Sequence, residues 1–163
     1  MGCKLKVCFF KPESDLNPVT VEHYEANILG CTRQFRYSTA NTNTIDMALS
    51  VNGIPVVALE LKNQFTGQDY ICAINQYKND RSSKEFAFRL NHRFLVYFAV
   101  DLYEVWMTTQ LADSNTRFLP FNQGSNGAGV TGGAGNPQNP NGYATSYLWE
   151  EVLQRDSLLD LIH

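Results

Sequence analysis

Between Ile45 and Lys62 the chain alternates with a period of two. Ile45, Met47, Leu49 and Val51 are separated by Asp46, Ala48 and Ser50, the pattern of a strand with one covered face. Asn52-Gly53 then signals a hairpin turn. The return strand, residues 56–62, carries Val57, Leu59 and Leu61 on one face and Val56, Ala58, Glu60 and Lys62 on the other, and its valine content fits a central place in a sheet. Upstream, residues 5–10 read as a strand that becomes buried, 18–26 as about one helical turn, and 28–37 as extended, with Cys31, Arg33, Phe35 and Tyr37 sharing a face. Downstream, Thr66 and Asp69 have the spacing of a helix capping box, and Tyr70, Ile74, Tyr77 and Arg81 recur at helical spacing, which predicts a helix over 67–79. Residues 94–100 are apolar on both faces and predict a buried strand, joined tightly at Asp101-Leu102 to another over 103–109. Seven of the 11 glycines fall between Gly124 and Gly142, which predicts a long mobile loop. Over residues 145–162, Leu148, Val152 and Leu159 form a helical apolar stripe.

Composition narrows what these elements can do. A chain of 163 residues with 44% hydrophobic content builds one compact domain. With 13 Lys and Arg against 16 Asp and Glu, the net charge of −3 offers no basic stripe, so any contact with DNA must be local, metal-mediated or completed by a partner. No apolar run approaches the roughly 18 residues of a membrane span and no signal core opens the chain, which predicts a soluble cytoplasmic protein. Cys3, Cys8, Cys31 and Cys72 form no C-x-x-C pair and are expected to be free, buried thiols rather than disulfides or zinc ligands. The glycine-rich segment lacks a Lys and a G-K-[ST] ending, so it is not a P-loop. His23, His92 and His163 stand apart from any Ser or Cys nucleophile motif, Asp101 and Glu104 read as turn and surface residues, and Trp106 and Trp149 as packing residues.

Directly opposed residues of a hairpin share a face, so its covered faces fix its register. Ile45, Met47 and Leu49 then oppose Leu61, Leu59 and Val57 across a three-residue loop of Asn52, Gly53 and Ile54. On the other face Asp46 opposes Glu60, with Cβ atoms about 4.5–5.5 Å apart, and Lys62 follows two residues on. Two adjacent carboxylates repel and call for a cation. Lys62 supplies it if the cluster is only structural; Mg²⁺, which takes one or two carboxylates with waters and substrate phosphate, supplies it if the cluster is catalytic. In the second case Lys62 sits beside the bound phosphate and the attacking water.

Asp46 followed after thirteen residues by Glu60-Leu61-Lys62, on a hairpin before a helix, resembles the PD-(D/E)XK nucleases. More narrowly, residues 45–63, A-I-N-Q-Y-K-N-D-R at 73–81, F-A-V-D at 98–101, F-L-P-F-N-Q-G at 118–124 and Y-L-W-E-E-V-L at 147–153 resemble the N-terminal region of the type I restriction enzyme R subunit. The resemblance implies an α/β, restriction-endonuclease-like fold, a mixed central sheet flanked by helices, with the fold's first helix missing. It implies a nuclease domain over 1–122, a Gly/Asn-rich loop over 123–144 and a helix over 145–163 leading towards an absent helicase motor. It assigns Asp46 and Glu60 to catalytic Mg²⁺, for which Mn²⁺ substitutes, with the Leu61 carbonyl as a further ligand. Lys62 would orient water and offset charge on the scissile phosphate, while Gln76, Tyr77 and Arg81 would support the site or contact DNA. The partners implied are double-stranded DNA and the methyltransferase and specificity subunits; ATP belongs to the absent motors. The alternatives are a stand-alone repair or junction nuclease of the same superfamily and a non-catalytic docking domain.

Overall fold

The computed structural model describes residues 6–90, 92–126 and 133–162. Asn52 and Gly53 turn the chain with φ of +50° and +83°, the sign that a two-residue type I′ hairpin requires at both positions. This turn is one residue shorter than the expected loop. The strands it joins, β2 (Thr44–Val51) and β3 (Ile54–Leu61), pair Val51 with Ile54 and Ser50 with Pro55 at the tip, then Leu49 with Val57, Ala48 with Ala58 and Met47 with Leu59. Val56 is the extra residue of a β-bulge, and it restores the expected register before the far end of the hairpin. Pro55, which has no N–H to give, sits where the ladder is already interrupted.

β1 (Leu29–Arg36) pairs antiparallel with β2 at one edge of the sheet, and β4 (Val96–Val100) lies parallel to β3. β5 (Val105–Thr108) and the two-residue β6 (Leu119–Pro120) continue antiparallel, so the mixed six-stranded sheet runs in sequence order. β6 is too short to show a period and was not expected. Its proline stands on the outermost strand, where a missing donor is tolerated.

Two parallel neighbours need a crossover, and here it carries the helix expected after the hairpin. That helix, α2 (Tyr70–Asn79), begins three residues later than predicted, because Asp69 caps it by accepting the N–H of Cys72 at 3.0 Å. Thr66 instead closes a 3-10 turn, Gln64–Thr66, capped by Asn63. α2 buries Ala73 and Tyr77 against Ile45, Ala58, Phe94, Tyr97 and Ala99. The opposite face of the sheet, with Val57, Leu59, Phe98 and Val105, packs on Leu148, Leu158 and Leu159. The single helix expected over 145–162 is in fact two pieces, a π-type turn over Leu148–Val152 and α3 (Arg155–Leu161), separated by an extended Gln154.

A helix precedes the sheet, which corrects the expectation that the chain opens on a strand with no helix before it. α1 (Pro18–Glu25) has Pro18 in its first turn and Asn17 as cap, so it extends beyond the expected single turn, although it buries none of its residues. It lies on the α3 side: Arg155 donates to the last carbonyls of α1, at 2.6 Å to Tyr24 and 3.0 Å to Glu25, and Tyr24 bonds Asp156. Residues 6–10 do not form the expected strand. Side-chain amides replace a ladder there: Asn27 binds both the N–H and the C=O of Phe9, and Asn52 donates to Val7 O. Only Cys8 of that segment is buried. Leu5 lies outside the described residues.

Two further expectations are corrected. Cys31 and Cys72 are exposed, so only Cys8 among the described thiols is both free and buried. The shared face of Cys31 and Phe35 is broken by Gln34 at φ +49°, which sends Phe35 to the α2 side while the partner of Cys31, Leu49, packs on the α3 side. Of the glycine-rich segment, residues 127–132 lie outside the described part, and the flanks are tied down: Asn136 accepts the N–H of Gln123 and donates to Tyr103 O, both at 2.8 Å. No helix among the described residues is long and apolar enough to cross a membrane.

Candidate active site

Asp46 and Glu60 come from neighbouring strands, one residue beyond the last rung of the hairpin ladder, Met47 with Leu59. Here the strand alternation fails: Ile45, expected opposite Leu61 on the α3 side, is instead fully buried among the α2-side residues, and Leu61 is 40% exposed. The cause lies on β1, where the positive φ of Gln34 falls opposite Asp46 and interrupts the pairing between Arg33–Met47 and Phe35–Ile45. Gln34 accepts from the Thr44 hydroxyl at 2.7 Å and points its amide nitrogen at Asp46 Oδ1 from 3.5 Å. Asp46 Oδ2 takes the place of a backbone acceptor by receiving the N–H of Leu61 at 2.8 Å.

Glu60 follows Ala58 on the α2 face and is completely buried. Arg81, just past the end of α2, reaches back under the sheet and donates twice to Glu60 Oε1, from Nε at 3.0 Å and Nη2 at 2.8 Å, and once to the Thr44 carbonyl at 2.8 Å. The ring of Tyr37 flanks its guanidinium, with the centroid 5.4 Å away. Burial pushes the Glu60 carboxyl up to about 7; Arg81 opposes that shift, and the Asp46 carboxyl beside it adds to it. Glu60 Oε2 has no hydrogen-bond partner despite being buried. Such an atom is costly unless something else completes it.

Lys62 leaves the end of β3, where its N–H donates to Val100 O at 2.8 Å. Its ammonium donates to Gln76 Oε1 at 2.6 Å, one side of an open polar groove lined by Gln68, Cys72, Asn75 and Asn79. The expected neighbours therefore separate into three kinds. Gln76 orients Lys62. Tyr77 is fully buried, donates to Phe98 O at 3.3 Å and meets Tyr97 edge-on, so it supports the site from the core and is not placed to touch DNA. Arg81 is only 5% exposed with its donors turned inward, so the expected phosphate contact is replaced by an internal ion pair with Glu60. Gln34 carries no sequence signal of a place in this cluster. Helical spacing singles out Arg81 but does not fix its direction.

Among the described residues no three His, Cys, Asp or Glu side chains gather as ligands, and the acidic residues of α1 lie across the sheet. Two hard oxygens remain uncommitted or weakly held, Glu60 Oε2 and Asp46 Oδ1. Mg²⁺ needs no more protein carboxylates than that, since water and phosphate complete its shell, so the residues fit it.

Asp101 and Glu104 stand at the expected turn, but Asp101 is not the surface residue expected. Asp101 is buried, binds the N–H groups of Tyr103 and Glu104 through Oδ1 and that of Tyr70 through Oδ2, and so fixes the start of α2. Trp106 stacks on Tyr70 with ring centres 5.3 Å apart, while Trp149 is 42% exposed. No curated protein and no solved structure matches this chain. The family model for the type I restriction enzyme R protein N terminus matches residues 6–116, more than half of the chain and all of the carboxylate site, and the chain therefore belongs to that family.

Proposed function

We propose that the chain is the DNA-cleaving module of a type I restriction enzyme R subunit, hydrolysing a phosphodiester with Mg²⁺ held by Asp46 and Glu60 and the Leu61 carbonyl. The observation that carries this reading is the buried, unpartnered Glu60 Oε2 beside Asp46, with Lys62 held at the same end of β3. Bound Mg²⁺ would supply Lewis acidity to the phosphoryl oxygen and a more acidic water; Mn²⁺ would serve in its place. Lys62, steadied by Gln76, offsets charge on the scissile phosphate and offers protons to orient the attacking water. Arg81 keeps Glu60 Oε1 occupied, so that one oxygen only is presented. Asp46 is anchored through Oδ2, which fixes the direction of its other oxygen. Rigid strands hold both carboxylates without needing an ordered loop.

In the intact enzyme this module works on double-stranded DNA with the methyltransferase and specificity subunits, in the cytoplasm, and its cutting is coupled to ATP-driven motors elsewhere in the subunit. The module itself spans 1–122, and residues 145–163 lead towards those motors. Asp46→Ala or Lys62→Ala in the intact subunit should abolish DNA cutting and leave ATP hydrolysis largely unchanged. Loss of both activities together would assign the cluster a structural role. One observation favours that second reading, a docking domain: Arg81 already supplies an internal cation to Glu60. Unchanged restriction in the Asp46 variant would establish it.

A further inference from the structure

A second feature stands at the same end of the sheet and takes no part in the cutting chemistry described above. Leu61 and Val100 end the parallel pair side by side, so the loops that leave β3 and β4 emerge next to each other. Between these loops and residues 134–144 opens a hollow of about 760 Å³, within the size range of small-ligand sites. Phe65, Tyr103 and Tyr143 line it and are 88%, 62% and 54% exposed. Each stands on a hydrogen-bonded turn. The Phe65 N–H is held by the Asn63 side chain at 2.9 Å, the Tyr103 N–H by Asp101 at 2.8 Å, and the Tyr143 carbonyl by Ser146 N–H at 3.0 Å.

Aromatic surface kept this far in water by built turns marks a contact site. No Lys or Arg lines the hollow, and Glu104 is its one acidic residue, so the lining does not suit a phosphate. Aromatic side chains with the exposed amide of Gln138 among them suit a flat, uncharged ring with donors and acceptors on its edge, which describes a nucleobase. The hollow is reached from Glu60 by crossing from β3 over β4 towards β5.

We propose that this hollow stacks unpaired bases of the DNA strand that passes the carboxylate site. The proposal rests on the nuclease reading for its substrate and its position. Lys62 then meets the phosphate, and Phe65, three residues further along the chain, meets the bases.

The test uses this chain with 2-aminopurine oligonucleotides, single-stranded and as blunt duplexes, and reads both affinity and quenching of the base. Phe65→Ala and Tyr143→Ala should each weaken single-strand binding about tenfold and reduce quenching, Phe65→Trp should retain both, and duplex binding should stay within about twofold. Both truncated side chains are mostly exposed, so the thermal midpoint checks that the fold is kept. The proposal is overturned if the wild-type chain binds no single strand, if the variants bind single strands like wild type, or if single-strand and duplex binding fall equally. It is also overturned if the variants keep DNA binding but no longer assemble with the rest of the restriction complex, since the hollow would then be a protein contact. Cutting by the Lys62→Ala subunit tests the catalytic assignment separately, so failure of one reading is not mistaken for failure of the other.

Discussion

Replacing Arg81 by Met keeps much of the side-chain length and removes the charge. Three hydrogen bonds disappear, two to Glu60 Oε1 and one to the Thr44 carbonyl, and Glu60 is left wholly buried beside Asp46 with no cation. Removing one partner of a buried pair costs about 3–5 kcal/mol, because the stranded charge must be desolvated or neutralised. In a domain of this size each kcal/mol lowers the thermal midpoint by roughly 2–4 °C, so a fall of about 10 °C is expected at pH 8. The penalty depends on pH. Below the unfolded-state value of 4.5, Glu60 is protonated in both states and both proteins; only the lost hydrogen bonds and packing remain, about 1–2 kcal/mol. Urea unfolding at pH 4 and pH 8 measures the difference. An Arg81→Met loss that is the same at both pH values, or is under about 1 kcal/mol at pH 8, would refute the argument that Arg81 holds a buried carboxylate.

In the unsubstituted chain the Glu60 carboxyl is raised from 4.5 to about 7, so the folded state holds more protons between those values and stability contributed by this group is lost as pH rises through that window, by roughly 3 kcal/mol; Glu60→Gln should flatten this part of the stability profile in denaturant titrations. Asp101→Ala removes the acceptor of three backbone N–H groups at the start of α2 and the β4–β5 turn, and should cost about 2–4 kcal/mol in urea unfolding; a loss under 1 kcal/mol would sink its role as organiser. Gln76→Ala frees the Lys62 ammonium and should slow cutting by the intact subunit roughly tenfold while metal affinity, read by calorimetry with Mn²⁺, stays unchanged. Asn27→Ala strips both hydrogen bonds from Phe9 and should expose residues 6–10 to proteolysis at a stability cost of about 2 kcal/mol.

The hairpin and its carboxylates were legible because alternation, an Asn-Gly turn and an E-x-K triplet are local signals, and the register near Met47–Leu59 follows from matching apolar faces. What failed to show was set by contacts distant in sequence. Residues 5–10 have the apolar content of a strand, but whether they join a ladder depends on Asn27 and Asn52, whose amides occupy their backbone groups. Arg81 has the helical spacing of a surface contact, and only the burial of Glu60, 21 residues away, turns it inward. Gln34 gave no warning, since a positive φ at a non-glycine residue leaves no mark on composition or period. The helix over 145–162 had a continuous apolar stripe, and a π-type turn shifts that stripe without altering its residue types.

The bulge at Val56 separates the tip of the hairpin from its working end. Because the slip of one residue is absorbed between Leu49 and Ser50, codons added or removed in the Asn52-Gly53 turn have a place to be accommodated before they reach Asp46. Loss of the Val56 codon alone is different. It would force β3 either to abandon its two-residue turn or to rotate Glu60 away from Arg81 to the opposite side of the sheet, exchanging a buried carboxylate with Leu59 or Leu61. In this hairpin the bulge stands between a change of length at the tip and the site, while a single valine keeps the register of the site.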